Sequence, residues 1–104
     1  MNKRTKALDI PRKVKDAVWQ RDQHRCILCQ STQAMPNAHV VSRAQGGLGV
    51  EQNIVTLCQK CHRALDQSIH RKYLMQEVYA YMRAKYPGWE PGLQMYRKGE
   101  PYVK

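Results

Sequence analysis

The sequence predicts a small α+β domain: two short strands, pinned by a structural four-cysteine metal site, with helices before and after them. Three observations predict it. The four cysteines form two tight pairs, Cys26/Cys29 and Cys58/Cys61. Two stretches rich in β-branched residues lie between the pairs, and apolar residues recur at helical spacing outside them. A chain of 104 residues has the length of one domain with a modest core, a size at which a bound metal or a disulfide commonly adds stability.

Taken in order, residues 1–10 read as a basic N-terminal arm. Pro11 suits a first helical turn and opens a helix over about 11–22, whose stripe of Val14, Ala17, Val18 and Trp19 faces the core. The first knuckle, CILC, follows, and QSTQAMPN is turn-rich. AHVVS (38–42) reads as a short strand, RAQGGLGVEQ as a loop, and NIVTL (53–57) as the second strand. The second knuckle then leads to a helix from about Asp66 to Tyr86, with Ile69, Tyr73, Leu74, Val78, Tyr81 and Met82 in register. Pro87-Gly88 ends it, and residues 87–104 form a tail or a wrapping segment. Tyr73, Tyr79, Tyr81, Tyr86 and Trp89 read as packing residues rather than a base-stacking platform, and His24 and His70 as ordinary core or surface histidines.

Charge narrows the function. The formal net charge is +10, from 18 Lys and Arg against 8 Asp and Glu. The cations crowd the two flanks, with only Arg43, Lys60 and Arg63 between residues 26 and 65. Two basic flanks around a nearly neutral centre suit a polyanion laid across the domain. No apolar run approaches the ~18 residues of a membrane span, and the basic start MNKRTKALDIPRK lacks the apolar stretch of a secretory signal. Without an export signal, two Cys-x-x-Cys pairs favour a metal over two disulfides. Four thiolates on Zn²⁺ make a closed, structural site. The long segment between Cys29 and Cys58 is then a zinc-pinned insert, and it carries His39 and Asn53, with His62 just beyond Cys61.

The stretch AHVVSRAQGG…NIVTLCQKCH, within about residues 19–66, closely resembles the HNH endonucleases of the four-cysteine zinc type, which have the ββα-metal fold; the GGLGVEQNIVTLC portion is similar to phage and prophage members. The resemblance implies a nuclease domain over 11–86 with a zinc-pinned core at about 19–66. It implies His39 as the general base that activates water, Asn53 as the brace of the loop and of the base, and His62 as a ligand of a catalytic Mg²⁺, Mn²⁺ or other divalent cation. Cys26, Cys29, Cys58 and Cys61 correspond to the structural zinc ligands. The chain departs from the family at Ala38, where many members carry another metal ligand. Asp66, four residues after His62 and on the same helical face, is a candidate second ligand; its other reading is a helix cap. Asn37 is a weaker fallback ligand.

The partner implied is DNA, cleaved to 5′-phosphate and 3′-hydroxyl ends. Arg43 is the candidate phosphate clamp, with Lys13, Lys15, Arg21 and Arg63 as further contacts. Gly46 and Gly47 permit a tight loop that lets the backbone approach DNA. The setting implied is the cytoplasm of a bacterial or phage-infected cell, as a monomer or a homodimer. The rival reading is a non-catalytic, zinc-finger-like nucleic-acid-binding module, which Ala38 favours.

Overall fold

A computed structural model describes residues 2–102. Among the described residues six α-helices and strands follow one another, with three short 3-10 turns besides: α1 (Lys3–Leu8), α2 (Arg12–Arg21), β1 (Ala34–His39), β2 (Ile54–Cys58), α3 (Gln59–Gln67) and α4 (Arg71–Lys85). The two strands form one antiparallel sheet, and β2 runs directly into α3. Among the described residues no helix is long and apolar enough to cross a membrane.

The expected basic arm is instead a helix, α1. Asn2 caps it, its side chain accepting from the Thr5 N–H at 2.7 Å, and Ala7 and Leu8 are buried. Ala7 packs with Leu48 and Val50 in a small cluster of its own. Helix α2 follows Pro11 as its proline predicts, with Val14 and Val18 buried against Ile54. Trp19 is only half-buried and stacks on His24, ring centroids 4.9 Å apart.

The first strand lies earlier than its sequence suggests. Its register pairs Ala34 with Cys58, Met35 with Leu57, Ala38 with Val55 and His39 with Ile54, with an irregularity between Met35 and Ala38. Proline cannot donate to a ladder, so Pro36 and Asn37 sit in this bulge rather than in a turn. Val40 and Val41 are buried but leave the ladder. The Val40 N–H donates to the Asn53 carbonyl at 2.8 Å and the Val41 N–H to the Asn53 side chain at 2.9 Å.

The single helix expected over 66–86 is two. Helix α3 begins at once after β2, and Ser68 breaks the path. Its backbone is extended, and its hydroxyl accepts from the His70 N–H at 3.0 Å. A serine side chain that bonds nearby backbone in this way competes with helix continuation. Ile69 therefore falls in the break and is 94 % exposed, and Tyr73 is also exposed; Val78 and Met82 alone of the predicted stripe are fully buried. Beyond α4 the chain wraps back. Trp89 is buried and donates from Nε1 to the Gln52 carbonyl at 2.6 Å. The Leu48 N–H donates to the Gln94 carbonyl at 2.8 Å, and the Tyr96 N–H to the Gly46 carbonyl at 2.7 Å.

The main core joins Cys26, Ala38, Val55, Leu57, Leu65, Val78, Met82 and Trp89. Against it lies a buried polar lock. Arg21 spends its five N–H donors inside the protein: two bonds to the Asp22 carboxylate at 2.7 and 3.0 Å, one each to the Glu51 and Ile54 carbonyls at 2.7 Å, and one to the Tyr86 hydroxyl at 3.2 Å. Asp22 also accepts from the Thr56 N–H at 2.8 Å and from the Tyr81 hydroxyl. Burial works against the Arg21 cation, but the bonds from Asp22 and Tyr86 outweigh it and raise its pKa. Burial and the Asp22 bond raise that of Tyr81, keeping it a donor. The expectation that Arg21 contacts nucleic acid is therefore overturned: its guanidinium ties α2 to β2 and α4 and has no donor left.

Removing one member of a buried ion pair leaves an uncompensated charge, at a cost of about 3–5 kcal/mol. Arg21→Met should lower unfolding stability by that order in a denaturant titration of the metal-loaded protein. Arg21→Lys should recover little of it, because an ammonium cannot make the five-bond fork.

Candidate functional site

The four cysteines converge from two places. Cys26 and Cys29 lie on the knuckle after α2; Cys58 ends β2, and Cys61 lies in the first turn of α3. All four are free thiols, and their sulfurs lie within 4.8 Å of one another, with Cys29 and Cys58 at 3.5 Å. Tetrahedral zinc with bonds of 2.3 Å places its sulfurs about 3.8 Å apart, so the donor set and the spacing fit a Zn²⁺ ion. Backbone N–H groups already face the sulfurs. Cys58 caps α3 and accepts from the Cys61 N–H at 3.4 Å. Burial raises the Cys26 thiol, yet the N–H groups of Cys29, Cys58 and Leu28 more than offset it and bring its pKa to about 7. Burial and the neighbouring sulfurs push Cys61 up. Packed thiols that oppose one another's ionisation are the arrangement a cation relieves.

A second group of residues meets where β1 ends beside α3. His39 at the end of β1, and His62 and Asp66 on α3, line one cleft of about 60 Å³ with Ser42, Gln45 and Arg71. His62 and Asp66 are one helical turn apart, and neither side chain has a hydrogen bond or an ion pair among the described residues. The capping reading of Asp66 fails, since it lies inside α3 and α4 is preceded by His70. An imidazole and a carboxylate one turn apart are donor types that could share one divalent cation, with waters and substrate oxygens completing its shell. Asn37 lines a different hollow with His62, Trp19 and Met35. Ala38 is 1 % exposed and packs in the main core.

Asn53 is fully buried and makes three bonds with its side chain. Its oxygen accepts from the Val41 N–H; its nitrogen donates to the Val41 carbonyl at 3.1 Å and the Leu48 carbonyl at 2.9 Å. It therefore closes the loop that follows His39. The glycines of that loop face inward. Gly46 and Gly47 are buried, and a Cβ on Gly47 would meet the Val41 carbonyl oxygen at 1.7 Å. The close approach Gly47 permits is to protein backbone, while Gly46 is needed for its left-handed φ of 85°.

His39 is half-buried, and its Nε2 donates to the Leu8 carbonyl at 2.9 Å. Burial, the largest cause, lowers its pKa below 6.5; the Leu8 bond opposes this, while Arg43 and His62 add to it. Arg43 donates from Nη1 to that same carbonyl at 2.9 Å and pairs with Asp9 at 3.0 Å. It is thus partly engaged within the protein rather than standing as an open clamp. Lys13, Lys15 and Arg63 are exposed. Two participants were invisible to sequence reasoning. The Leu8 carbonyl is a backbone atom and has no residue-type signal. Arg71 lay inside a helix read as continuous, and the break at Ser68 is what turns it to the cleft.

The family model described as HNH endonuclease matches residues 26–77, a span that holds every cysteine, both strands, His39, Asn53, His62 and Asp66. No curated protein gives a match.

A histidine whose folded pKa lies below its unfolded value binds its proton more readily when unfolded. Its contribution to stability is therefore full above pH 6.5 and is lost as the pH falls through the folded value. An NMR titration of the His39 ring should give a midpoint below 6.5, leaving it neutral at pH 7.

Proposed function

The chain belongs to the HNH endonuclease family, and on that premise we propose that it is a metal-dependent DNA endonuclease. The observation that carries the reading is the cleft shared by His39, His62 and Asp66. His39 acts as the general base: neutral near pH 7, it takes a proton from water attacking the phosphorus, and an imidazole kept uncharged is suited to that step. Asn53 holds the loop behind His39, so the ring is presented from a rigid support. His62 and Asp66 hold a divalent cation, Mg²⁺ or Mn²⁺. Such a cation supplies charge neutralisation at the phosphate and the leaving oxygen. The chain's own cations, Arg71 at the cleft with Arg63, Lys13 and Lys15 on exposed helix surface, draw in the phosphate backbone, and cleavage leaves 5′-phosphate and 3′-hydroxyl ends. A Zn²⁺ ion on the four thiolates has no open position and supplies rigidity alone.

Ala38 favours one other reading, a nucleic-acid-binding module that does not cleave, because it removes a ligand that many members of the family have. Plasmid nicking separates the two. Supercoiled DNA with Mg²⁺ or Mn²⁺ should be nicked by the protein, and His39→Ala should reduce the rate by roughly 10²–10⁴-fold while leaving DNA binding intact. Binding without nicking under any divalent cation would leave the module.

The two metal sites should respond differently. Cys58→Ser should unfold the domain, seen as loss of the cooperative thermal transition and of bound zinc. His62→Ala should stay folded and inactive, and Asp66→Ala should raise the Mg²⁺ concentration needed for half-maximal nicking.

A further inference from the structure

The C-terminal end of α1 makes polar contacts with the site. Its last residue, Leu8, offers a carbonyl with two lone pairs. One accepts from His39 Nε2 and the other from Arg43 Nη1, each at 2.9 Å. A carbonyl only accepts, so the imidazole must carry its proton on Nε2; in a neutral ring the lone pair is then on Nδ1.

Both neighbours of Leu8, and Gly49 across from them, hold that carbonyl in place. The Ala7 carbonyl accepts from the Gly49 N–H at 2.9 Å, and Ala7 itself is fully buried. Asp9 takes the second arm of the Arg43 guanidinium at 3.0 Å. Gly49 forms the seat: a Cβ there would lie 1.9 Å from the Asp9 carbonyl oxygen and 2.9 Å from that of Leu8. Backbone cannot yield to such a contact as a flexible side chain can, so any side chain at residue 49 must push the end of α1 away from His39.

We propose that α1 is a positioning element of the hydrolytic site: through the Leu8 carbonyl it locks the His39 ring with Nε2 protonated and Nδ1 presented to take the proton from water. Arg43 and Gly49 keep that carbonyl on station. Arg43 is on this account chiefly a positioning residue. The inference rests on His39 acting as the base, and its test is read separately from that claim.

The cleanest perturbation leaves every side chain unchanged. A synthetic 1–25 thioester carrying an ester in place of the Leu8–Asp9 amide can be ligated to residues 26–104 at Cys26, giving the full chain with Leu8 as a weaker acceptor and without the Asp9 N–H that donates to Thr5; the same ester at Ala7–Leu8 is the control for a lost helix N–H. Gly49→Ala is the second variant. Both are compared with the all-amide protein after metal loading. In ¹⁵N-histidine spectra, the His39 Nε2–H of the all-amide protein should exchange slowly with solvent and identify the Nε2-protonated form; in either variant its exchange should accelerate. The nicking kcat should fall by roughly 10- to 100-fold, as for a misplaced catalytic group, with KM for plasmid unchanged. Unchanged exchange and unchanged kcat in a folded variant would overturn the proposal, as would an all-amide protein with its ring proton on Nδ1. Should the all-amide protein fail to nick DNA, the nuclease reading falls, and the exchange data still decide whether Leu8 holds the ring.

Discussion

Four sulfur atoms held within 4.8 Å of one another are the constraint on which the remainder of the molecule depends. They close a segment that begins after α2 and ends in the first turn of α3, and closing a loop of that length by a point contact removes chain entropy that a small core would struggle to offset. Cys58 has two tasks in that closure. It ends β2, and its sulfur caps α3. The direction in which the helix leaves the strand is thereby set by the same atom that joins the cluster. His62 and Asp66 follow from that direction, because a helix starting at Gln59 presents both on one face beside His39.

The apolar core is too divided to specify the arrangement alone. Among the described residues it falls into three clusters, two of them small: Ala7, Leu48 and Val50 with Tyr96 against them, and Val14, Val18 and Ile54 with Ile10. Buried polar groups join them. Arg21, with all five N–H donors engaged, and Asp22, with both carboxylate oxygens engaged, connect α2 to β2 and α4, and Asn53 ties the loop after His39 to itself. Densely bonded networks of this kind favour one arrangement over its near neighbours, since an alternative leaves these groups unpaired in a dry interior. The site inherits its rigidity from them: His39 projects from the end of β1 directly before the loop that Asn53 closes, and Ile54, its partner in the sheet, has its carbonyl on Arg21.

The site and the scaffold also divide the cations. Of the arginines nearest the strands, Arg21 of the N-terminal flank is engaged internally and Arg43 of the central region bridges Leu8 and Asp9. Exposed cations come from other elements, Lys13 and Lys15 on α2, Arg63 on α3 and Arg71 at the start of α4. A large positive charge thus serves two purposes, and counting it does not separate them.

The cysteine frame, the helix after Pro11, the second strand and the order His39, Asn53, His62 were legible in the sequence, because each rests on residue type and spacing. So was the pairing of His62 with Asp66 on one helical face, since a separation of four residues implies it in any helix. The limits of the first strand were not legible, because Pro36 and Asn37 have the composition of a turn and only the partner strand makes them a bulge. The break at Ser68 was hidden in an unbroken apolar period, and the internal use of Arg21 in a residue type that is usually exposed. Spacing along the chain thus determined which side chains this protein has available for metal and for proton transfer. Which of them meet, which arginine is left facing outward, and which backbone carbonyl orients the imidazole were decided only by the tertiary structure, because those are contacts between residues distant in sequence, such as Leu8 and His39, and they exist only once the intervening chain has folded.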